Sequence, residues 1–184
     1  MIPAPCFRRF ASPGEFLSGT LADHGNVVLG RPAAMPDFEM LSKACMTEIR
    51  IFLAEDHEGD VFLVKRALGQ MTRGYNLTLA RNGEEALTIL TTLEGAGEND
   101  RPDVIVLDLN LPRVGGIEVL ARIRQAVCFQ KTPVVIFTSS DSPRDRKTAL
   151  DLGATRYVRK PIDFGASRTL GFIIEELAGS REAS

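Results

Sequence analysis

Apolar and polar residues follow the same order five times along the chain: a short apolar run, then a segment with apolar residues at helical spacing. The run at 104–107 is apolar throughout, which is typical of a central parallel strand covered on both faces. The five apolar runs are 49–54, 77–79, 104–107, 134–137 and 157–158. Five strand–helix units predict an α/β domain, a doubly wound parallel sheet with helices on both faces.

The helices are predicted from the apolar positions that recur on one face of each segment. Four have clear stripes, namely Val61, Val64, Leu68 and Met71; Ala86, Ile89, Leu90 and Leu93; Ile117, Leu120, Ile123 and Val127; and Leu170, Ile173, Ile174 and Leu177. A weaker, polar helix is predicted from about Ser142 to Leu152.

The composition changes near Met46, where the domain is predicted to begin. Five of the ten prolines fall in the first 45 residues, at Pro3, Pro5, Pro13, Pro32 and Pro36. Such a segment cannot bury enough apolar surface to offset the entropy lost on ordering. We expect residues 1–45 to be a disordered extension or a misassigned start, residues 46–179 to form the domain, and residues 180–184 to be a polar tail.

Charge and cysteine content narrow the function classes. A net charge of −2 gives no reason to expect a nucleic-acid or membrane partner. No apolar run reaches the roughly 18 residues of a membrane-spanning helix. The three cysteines, Cys6, Cys45 and Cys128, are an odd number without CxxC spacing. They predict neither a disulfide framework nor a zinc site, and they favour a cytoplasmic protein.

Polar and charged residues directly follow the predicted strands. The first strand runs into Glu55 and Asp56, the third into Asp108, the fourth into Thr138, and the fifth toward Lys160. In open α/β sheets the binding and catalytic residues lie at the carboxyl ends of the strands. If strands one and three are neighbours, three carboxylates meet. Two charges about 4 Å apart repel by about 4 kcal/mol at a dielectric near 20, so the cluster needs a cation.

The predicted site has the parts needed for phosphoryl transfer. Oxygen-only ligands favour Mg²⁺ over a transition metal. Asp108 is the predicted nucleophile, since carboxylates form aspartyl phosphates. The metal would neutralise two phosphoryl oxygens, while Lys160 and the Thr138 hydroxyl take the third. Each feature alone is common in ordinary turns, but their presence at successive strand ends favours a functional site.

The motifs at these strand ends resemble the signature set of response-regulator receiver domains. They are the segments 53–56, 108–112 with Gly116, 137–140, and Lys160–Pro161. The resemblance covers residues 48–178. Segments 58–63 and 108–112 are most similar to the single-domain subgroup that includes response regulators paired with bacterial phytochromes. It implies a flavodoxin-like (βα)5 fold with strand order 2-1-3-4-5.

The resemblance also implies roles for individual residues. Asp108 would be phosphorylated by a histidine kinase, Asp56 and Asp108 would ligate Mg²⁺ with the backbone carbonyl of Asn110, and Glu55 would hold a metal-bound water. The partners implied are a histidine kinase such as a phytochrome-type photoreceptor kinase, a downstream phosphotransfer protein, or a second copy of the chain.

Two further implications concern the ends of the fourth and fifth strands. Lys160 would contact the phosphoryl group, and the Lys160–Pro161 bond would be cis. Thr138 and Tyr157 occupy the positions of the switch pair. On phosphorylation the hydroxyl would turn toward the phosphoryl oxygens and the ring would move inward, which would reshape the face of the fourth helix and fifth strand.

The sequence departs from the receiver pattern at two positions. Gly115 precedes Gly116 where many relatives have an acidic residue, which should loosen the loop without touching the chemistry. His57 follows the acidic pair where Asn or Asp is common, and we expect it to be an exposed loop residue. Asn110 and Ser140 lie at positions that, in such domains, influence how fast the phosphoryl group hydrolyses.

Other function classes fit the sequence less well. It contains neither GxxxxGK[ST] nor GxGxxG after a strand, so neither nucleotide signature is met. A haloacid-dehalogenase-type phosphatase would carry Asp-x-Asp after its first strand. A pseudo-receiver acting as a phosphorylation-independent binding module remains the alternative, although no acidic or lysine position is lost. We expect a signalling domain that assists its own phosphorylation and dephosphorylation, not an enzyme with turnover, and no DNA binding.

Overall fold

A computed structural model describes residues 48–160 and 168–182. Five strands and five α-helices alternate along these residues, with two short 3-10 turns at Glu98–Asp100 and Val127–Phe129. The strands are β1 (Ile49–Ala54), β2 (Tyr75–Ala80), β3 (Val104–Leu107), β4 (Val134–Thr138) and β5 (Arg156–Arg159). The helices are α1 (Glu58–Leu68), α2 (Gly83–Glu94), α3 (Gly116–Gln125), α4 (Pro143–Asp151) and α5 (Arg168–Glu182). The predicted alternation is confirmed.

The strands form one parallel sheet in the order β2-β1-β3-β4-β5. This confirms the flavodoxin-like order 2-1-3-4-5. In the register of the sheet, Ala54 at the end of β1 lies opposite Leu107 at the end of β3. The residues that follow, Glu55 and Asp108, therefore leave the sheet at the same level.

Each face of the sheet is covered by an apolar layer. One layer contains Phe52 and Ile105 with α2 and α3, and the other contains Leu53 and Val106 with α1 and α5. Every residue of β3 and β4 is buried, which explains their uninterrupted apolar runs. Among the described residues, no helix is long and apolar enough to cross a membrane.

Some predicted element limits were wrong. Helix α3 ends at Gln125, because Ala126 has extended backbone angles, and Val127 is 81% exposed in the following turn. Phe129, which is fully buried, fills the core position there. Strand β2 extends beyond the predicted segment 77–79 at both ends. The prediction was too short because exposed polar residues alternate with the apolar residues in this strand. Residues 1–45, 183–184 and the Lys160–Pro161 bond, predicted to be cis, lie outside the described residues.

Candidate functional site

Strands β1 and β3 bring two buried carboxylates to the same edge of the sheet. Glu55 is 1% exposed and Asp108 is 3% exposed, while Asp56 is exposed. Both buried residues continue the backbone ladder, since Glu55 N donates to Ala80 O at 3.0 Å and Asp108 N to Ala54 O at 3.0 Å. One carboxylate oxygen from each of the three acids lies within 4.8 Å of the other two. The predicted acidic cluster therefore exists.

Lys160 reaches this cluster from the end of β5. Its backbone N donates to Thr138 O at 2.8 Å, which extends the β4–β5 ladder by one residue. Its Nζ lies 2.7 Å from Glu55 Oε2 and 2.8 Å from Asp108 Oδ2. The side chain is only 8% exposed. Lys160 thus binds the predicted nucleophile directly.

The third partner of the Lys160 ammonium is a residue that sequence reasoning missed. Asp60 Oδ2 lies 2.9 Å from Lys160 Nζ. Asp60 does not follow a strand but lies in the first turn of α1. In the sequence Asp60 stands out only as part of segment 58–63, which points to a subgroup of receiver domains and not to the site. Lys160 Nζ thus donates hydrogen bonds to Asp60 and Asp108, and its charge also pairs with Glu55 Oε2 at 2.7 Å.

The surroundings shift the pKa of the groups in the pocket. Burial raises the pKa of the Glu55 carboxyl, and the hydrogen bond from Lys160 opposes this rise only in part. For Lys160, burial alone would lower the pKa of the amine, but hydrogen bonds to Asp108, Asp60 and Glu55 outweigh burial and raise it. The amine is therefore cationic, as a partner of three acids should be.

The pocket carries more negative than positive charge. Among the described residues, the pocket holds the four carboxylates of Glu55, Asp56, Asp60 and Asp108, and the Lys160 ammonium pairs with Glu55, Asp60 and Asp108. Carboxylate oxygens are the ligands of hard divalent cations such as Mg²⁺. The residues therefore fit a divalent metal, with Glu55, Asp56 and Asp108 as the side chains that could hold it.

The loop after β3 packs closely against the backbone of Asp108. A Cβ atom on Gly116 would overlap the carbonyl oxygen of Asp108 and lie 2.7 Å from Leu109 Cα. Around Gly115, no heavy atom lies within 4 Å of the same position. Asn110 N donates to Asp108 Oδ1 at 3.2 Å. Gly116 is thus required sterically, whereas Gly115 is not.

Thr138 and Tyr157 are joined through a third residue. Thr138 is fully buried, and its Oγ1 accepts a hydrogen bond from Ser140 N at 3.3 Å. The Tyr157 hydroxyl donates to Ser140 O at 3.0 Å, and the guanidinium of Arg146 lies 5.7 Å from the centre of its ring. Ser140 therefore contacts both residues predicted as the switch pair.

His57 lies at the N-terminus of α1, and its side chain is 71% exposed, as expected for a loop residue. Its backbone N donates to Glu55 Oε1 at 3.1 Å, and its Nδ1 lies 3.4 Å from Asp60 Oδ2. Asn110 is also exposed, with its Nδ2 3.5 Å from Ser139 Oγ. The backbone of His57 therefore helps to orient Glu55 while its ring stays in solvent.

Comparison with known protein families agrees with this geometry. Residues 51–169 match the response regulator receiver domain family. The match covers more than half of the chain, and the chain belongs to this receiver family of two-component signalling.

Curated relatives include the transcriptional regulatory protein TrcR of Mycobacterium tuberculosis. It is 35% identical over 131 residues, which are 71% of this chain and 47% of TrcR. The response regulator Rcp1 of Synechocystis is 38% identical over 111 residues, 60% of this chain and 75% of Rcp1. The chain spans about half the length of the first curated relatives that it matches.

Two solved structures of response regulators resemble this chain. The phosphorylated cyanobacterial phytochrome response regulator RcpA has a TM-score of 0.64 and 33% identity, over 73% of this chain and 96% of that chain. The Mn²⁺-bound form of Rcp1 has a TM-score of 0.59 and 33% identity, over 70% of this chain and 92% of that chain.

Proposed function

We propose that this chain accepts a phosphoryl group on a carboxylate oxygen of Asp108 from the phosphohistidine of a histidine kinase. The observation that carries the proposal is the contact between Asp108 and Lys160 inside the acidic pocket. Asp108 is buried, its Oδ2 lies 2.8 Å from the Lys160 amine, and Glu55 and Asp56 lie beside it. A nucleophile, a cation for the incoming oxygens and a set of metal ligands are thus within reach of one another.

In the proposed reaction a carboxylate oxygen of Asp108 attacks phosphorus. The P–N bond of the phosphohistidine breaks as the O–P bond forms, and the imidazole nitrogen keeps the electron pair. Lys160 supplies an N–H to a phosphoryl oxygen, and the Thr138 hydroxyl is proposed to supply another. A divalent metal such as Mg²⁺, when bound, neutralises the carboxylates and phosphoryl oxygens. Glu55, Asp56, Asp108 and the Asn110 carbonyl are its proposed ligands.

The same proposal assigns Thr138 and Tyr157 to the switch. Thr138 Oγ1 would exchange its hydrogen bond from Ser140 N for a contact with the phosphoryl group. Since the Tyr157 hydroxyl donates to Ser140 O, a shift of Ser140 would release the ring. The face of α4 and β5 would then change shape, and a protein partner would read that change.

The proposed partner is a histidine kinase, and RcpA, named as a phytochrome response regulator, supports a phytochrome-type photoreceptor kinase. A downstream phosphotransfer protein, a second copy of the chain and a cytoplasmic location are part of the proposal. So is a role as a phosphoacceptor, which assists its own dephosphorylation, and not as an enzyme with turnover. No observation favours a phosphorylation-independent pseudo-receiver.

Labelling with acetyl phosphate and Mg²⁺, followed by intact mass spectrometry, tests the proposal. The wild-type chain should gain one phosphoryl group, and Asp108→Asn should gain none. Asp141→Asn is a matched control, because Asp141 is an exposed loop residue that pairs with Arg159, and it should be labelled normally. Labelling of Asp108→Asn at the wild-type level would contradict the assignment.

A further inference from the structure

We infer that Asp60 is a positioning residue, which fixes the Lys160 amine for phosphoryl transfer at Asp108. This inference rests on the function proposed above. It starts from the contact of Asp60 Oδ2 with Lys160 Nζ at 2.9 Å, which links helix α1 to the pocket. The Asp60 side chain is 22% exposed, so the contact is partly shielded from water.

Helix α1 holds Asp60 rigidly. Its next residue, Val61, and Val64 one turn later are 2% and 0% exposed in the core. Asp60 N donates to His57 O at 3.0 Å in the first turn. Lys160, in contrast, has a flexible four-carbon side chain that must lose much rotamer freedom to stay in one place. A carboxylate on a fixed helix can therefore hold an amine that its own backbone would leave mobile.

The hydrogen bonds of Lys160 explain why an acceptor besides Asp108 matters. Before phosphorylation Lys160 Nζ donates to Asp60 and Asp108, and its charge also pairs with Glu55. When a phosphoryl group arrives at Asp108, the N–H that faced Asp108 can turn to a phosphoryl oxygen. The contacts with Glu55 and Asp60 need not break during this exchange. Asp60 thus keeps the amine beside the reacting oxygen.

The charge of Asp60 also repels the phosphoryl group, but this effect is smaller. Acceptors on one tetrahedral ammonium are separated by roughly 4.5–5 Å, whereas each lies about 3 Å from the nitrogen. At equal dielectric, Coulomb's law then makes the attraction by Lys160 about one and a half times the repulsion by Asp60. Lys160 and Asp60 together are therefore net attractive for the phosphoryl group as long as the ammonium stays in place.

An acidic residue in the first turn of a helix also stabilises the helix dipole, and the experiment must separate this role from positioning. Glu58 provides the matched control. It lies in the same first turn of α1, but its Oε1 pairs with Arg81 at 2.7 Å and its side chain is 80% exposed. Glu58→Ala and Asp60→Ala remove the same charge from the same turn, and only the second removes a partner of Lys160.

The experiment measures initial rates of phosphorylation by acetyl phosphate with Mg²⁺, by intact mass, together with thermal unfolding of each variant. We expect Asp60→Ala to be about three- to tenfold slower, as for loss of one hydrogen bond of ordinary net strength, since the contact is only partly shielded from water. Asp60→Asn should recover most of the rate, because an amide oxygen still accepts from Lys160. Glu58→Ala should stay within about twofold of wild type.

Three results would overturn the inference: an Asp60→Ala rate at or above wild type, an Asp60→Asn rate as low as that of Asp60→Ala, or equal slowing by Glu58→Ala. If Asp60→Ala does not fold, Asp60→Ser replaces it, because serine suits a first helical turn but is too short to reach Lys160. Failure of the proposed function has a different signature, namely absence of labelling in the wild-type chain itself.

Discussion

The backbone of Gly116 lies directly against the carbonyl of Asp108, so that any side chain on Gly116 would overlap that oxygen. The proposed acceptor is thus positioned by the loop that follows it as well as by β3. Gly116 N also donates to Leu109 O at 3.0 Å, which closes the loop over the start of α3.

Replacement of Gly116 by alanine should therefore displace Asp108. We expect Gly116→Ala to lower the free energy of unfolding by about 1–3 kcal/mol, as overpacking does, and to slow phosphorylation as well. Gly115→Ala is the matched control, since its Cβ would meet open space and its φ of −70° suits any residue. Denaturant unfolding and acetyl phosphate labelling check both variants. Equal stability of the two would show that the loop moves freely.

The Tyr157 hydroxyl contacts Ser140 O and not the acidic pocket, which predicts separate effects on stability and chemistry. Tyr157→Phe should lose about 0.5–1.5 kcal/mol of stability, the usual value of one hydrogen bond. Its phosphorylation rate should change by less than about twofold, since no group near Asp108 is altered. Denaturant unfolding and labelling rates measure the two quantities. A loss of rate as large as that of a Lys160→Met variant would place Tyr157 in the chemistry.

The strand ends of the site could be predicted because the sheet alone places them. Glu55 and Asp108 follow apolar runs, and the parallel order of β1 and β3 brings their ends together. Asp60 could not be predicted in this way. Its contact with Lys160 depends on how α1 packs against the sheet and how far a long side chain reaches, and neither quantity appears in a pattern of apolar residues.

The wrong prediction of where helix α3 ends has a similar origin. Val127 continued the helical spacing of α3, but the backbone leaves the helix at Ala126 and Phe129 enters the core instead. A local pattern cannot rank two apolar residues that compete for one core position. Only the packing of α3 against β4 decides between them.

Helix α5 is joined to the loop after α1 by one carboxylate, which predicts a pH dependence of stability. Glu175 Oε1 accepts from Thr72 N at 2.7 Å, from Thr72 Oγ1 at 2.8 Å and from Arg73 N at 3.1 Å. Its slight burial raises the pKa of the Glu175 carboxyl, but these hydrogen bonds outweigh burial and lower it from 4.5. A lowered pKa in the folded state stabilises the fold above 4.5, and this contribution is lost as the pH falls through the lowered value.

Glu175→Gln should therefore be less stable than wild type at neutral pH, by less than about 1 kcal/mol because the group is only partly shielded from water. The difference should shrink below pH 4.5. Urea unfolding at neutral and acidic pH measures it. Glu176→Gln is the control, because Glu176 Oε1 lies 3.7 Å from Arg156 in an exposed pair, and it should show a smaller loss at neutral pH. A difference that grows toward acidic pH would contradict the sign.

The excess of negative charge in the pocket predicts that divalent cations stabilise the folded protein. The ammonium of Lys160 cannot neutralise four carboxylates, and an ion that binds only the folded state adds RT ln(1 + [L]/Kd) to stability, about 2.7 kcal/mol at a hundredfold excess over Kd. We expect Mg²⁺ to raise the thermal midpoint more than NaCl at equal ionic strength does, and EDTA to reverse the effect.

Asp56→Asn should be more stable than wild type without Mg²⁺, because a repelling charge is gone, and should respond less to the ion. Exposed Asp141 again provides the control, and Asp141→Asn should respond as wild type does. An equal response of Asp56→Asn and wild type would remove Asp56 from the proposed ligands while leaving Glu55 and Asp108 in place.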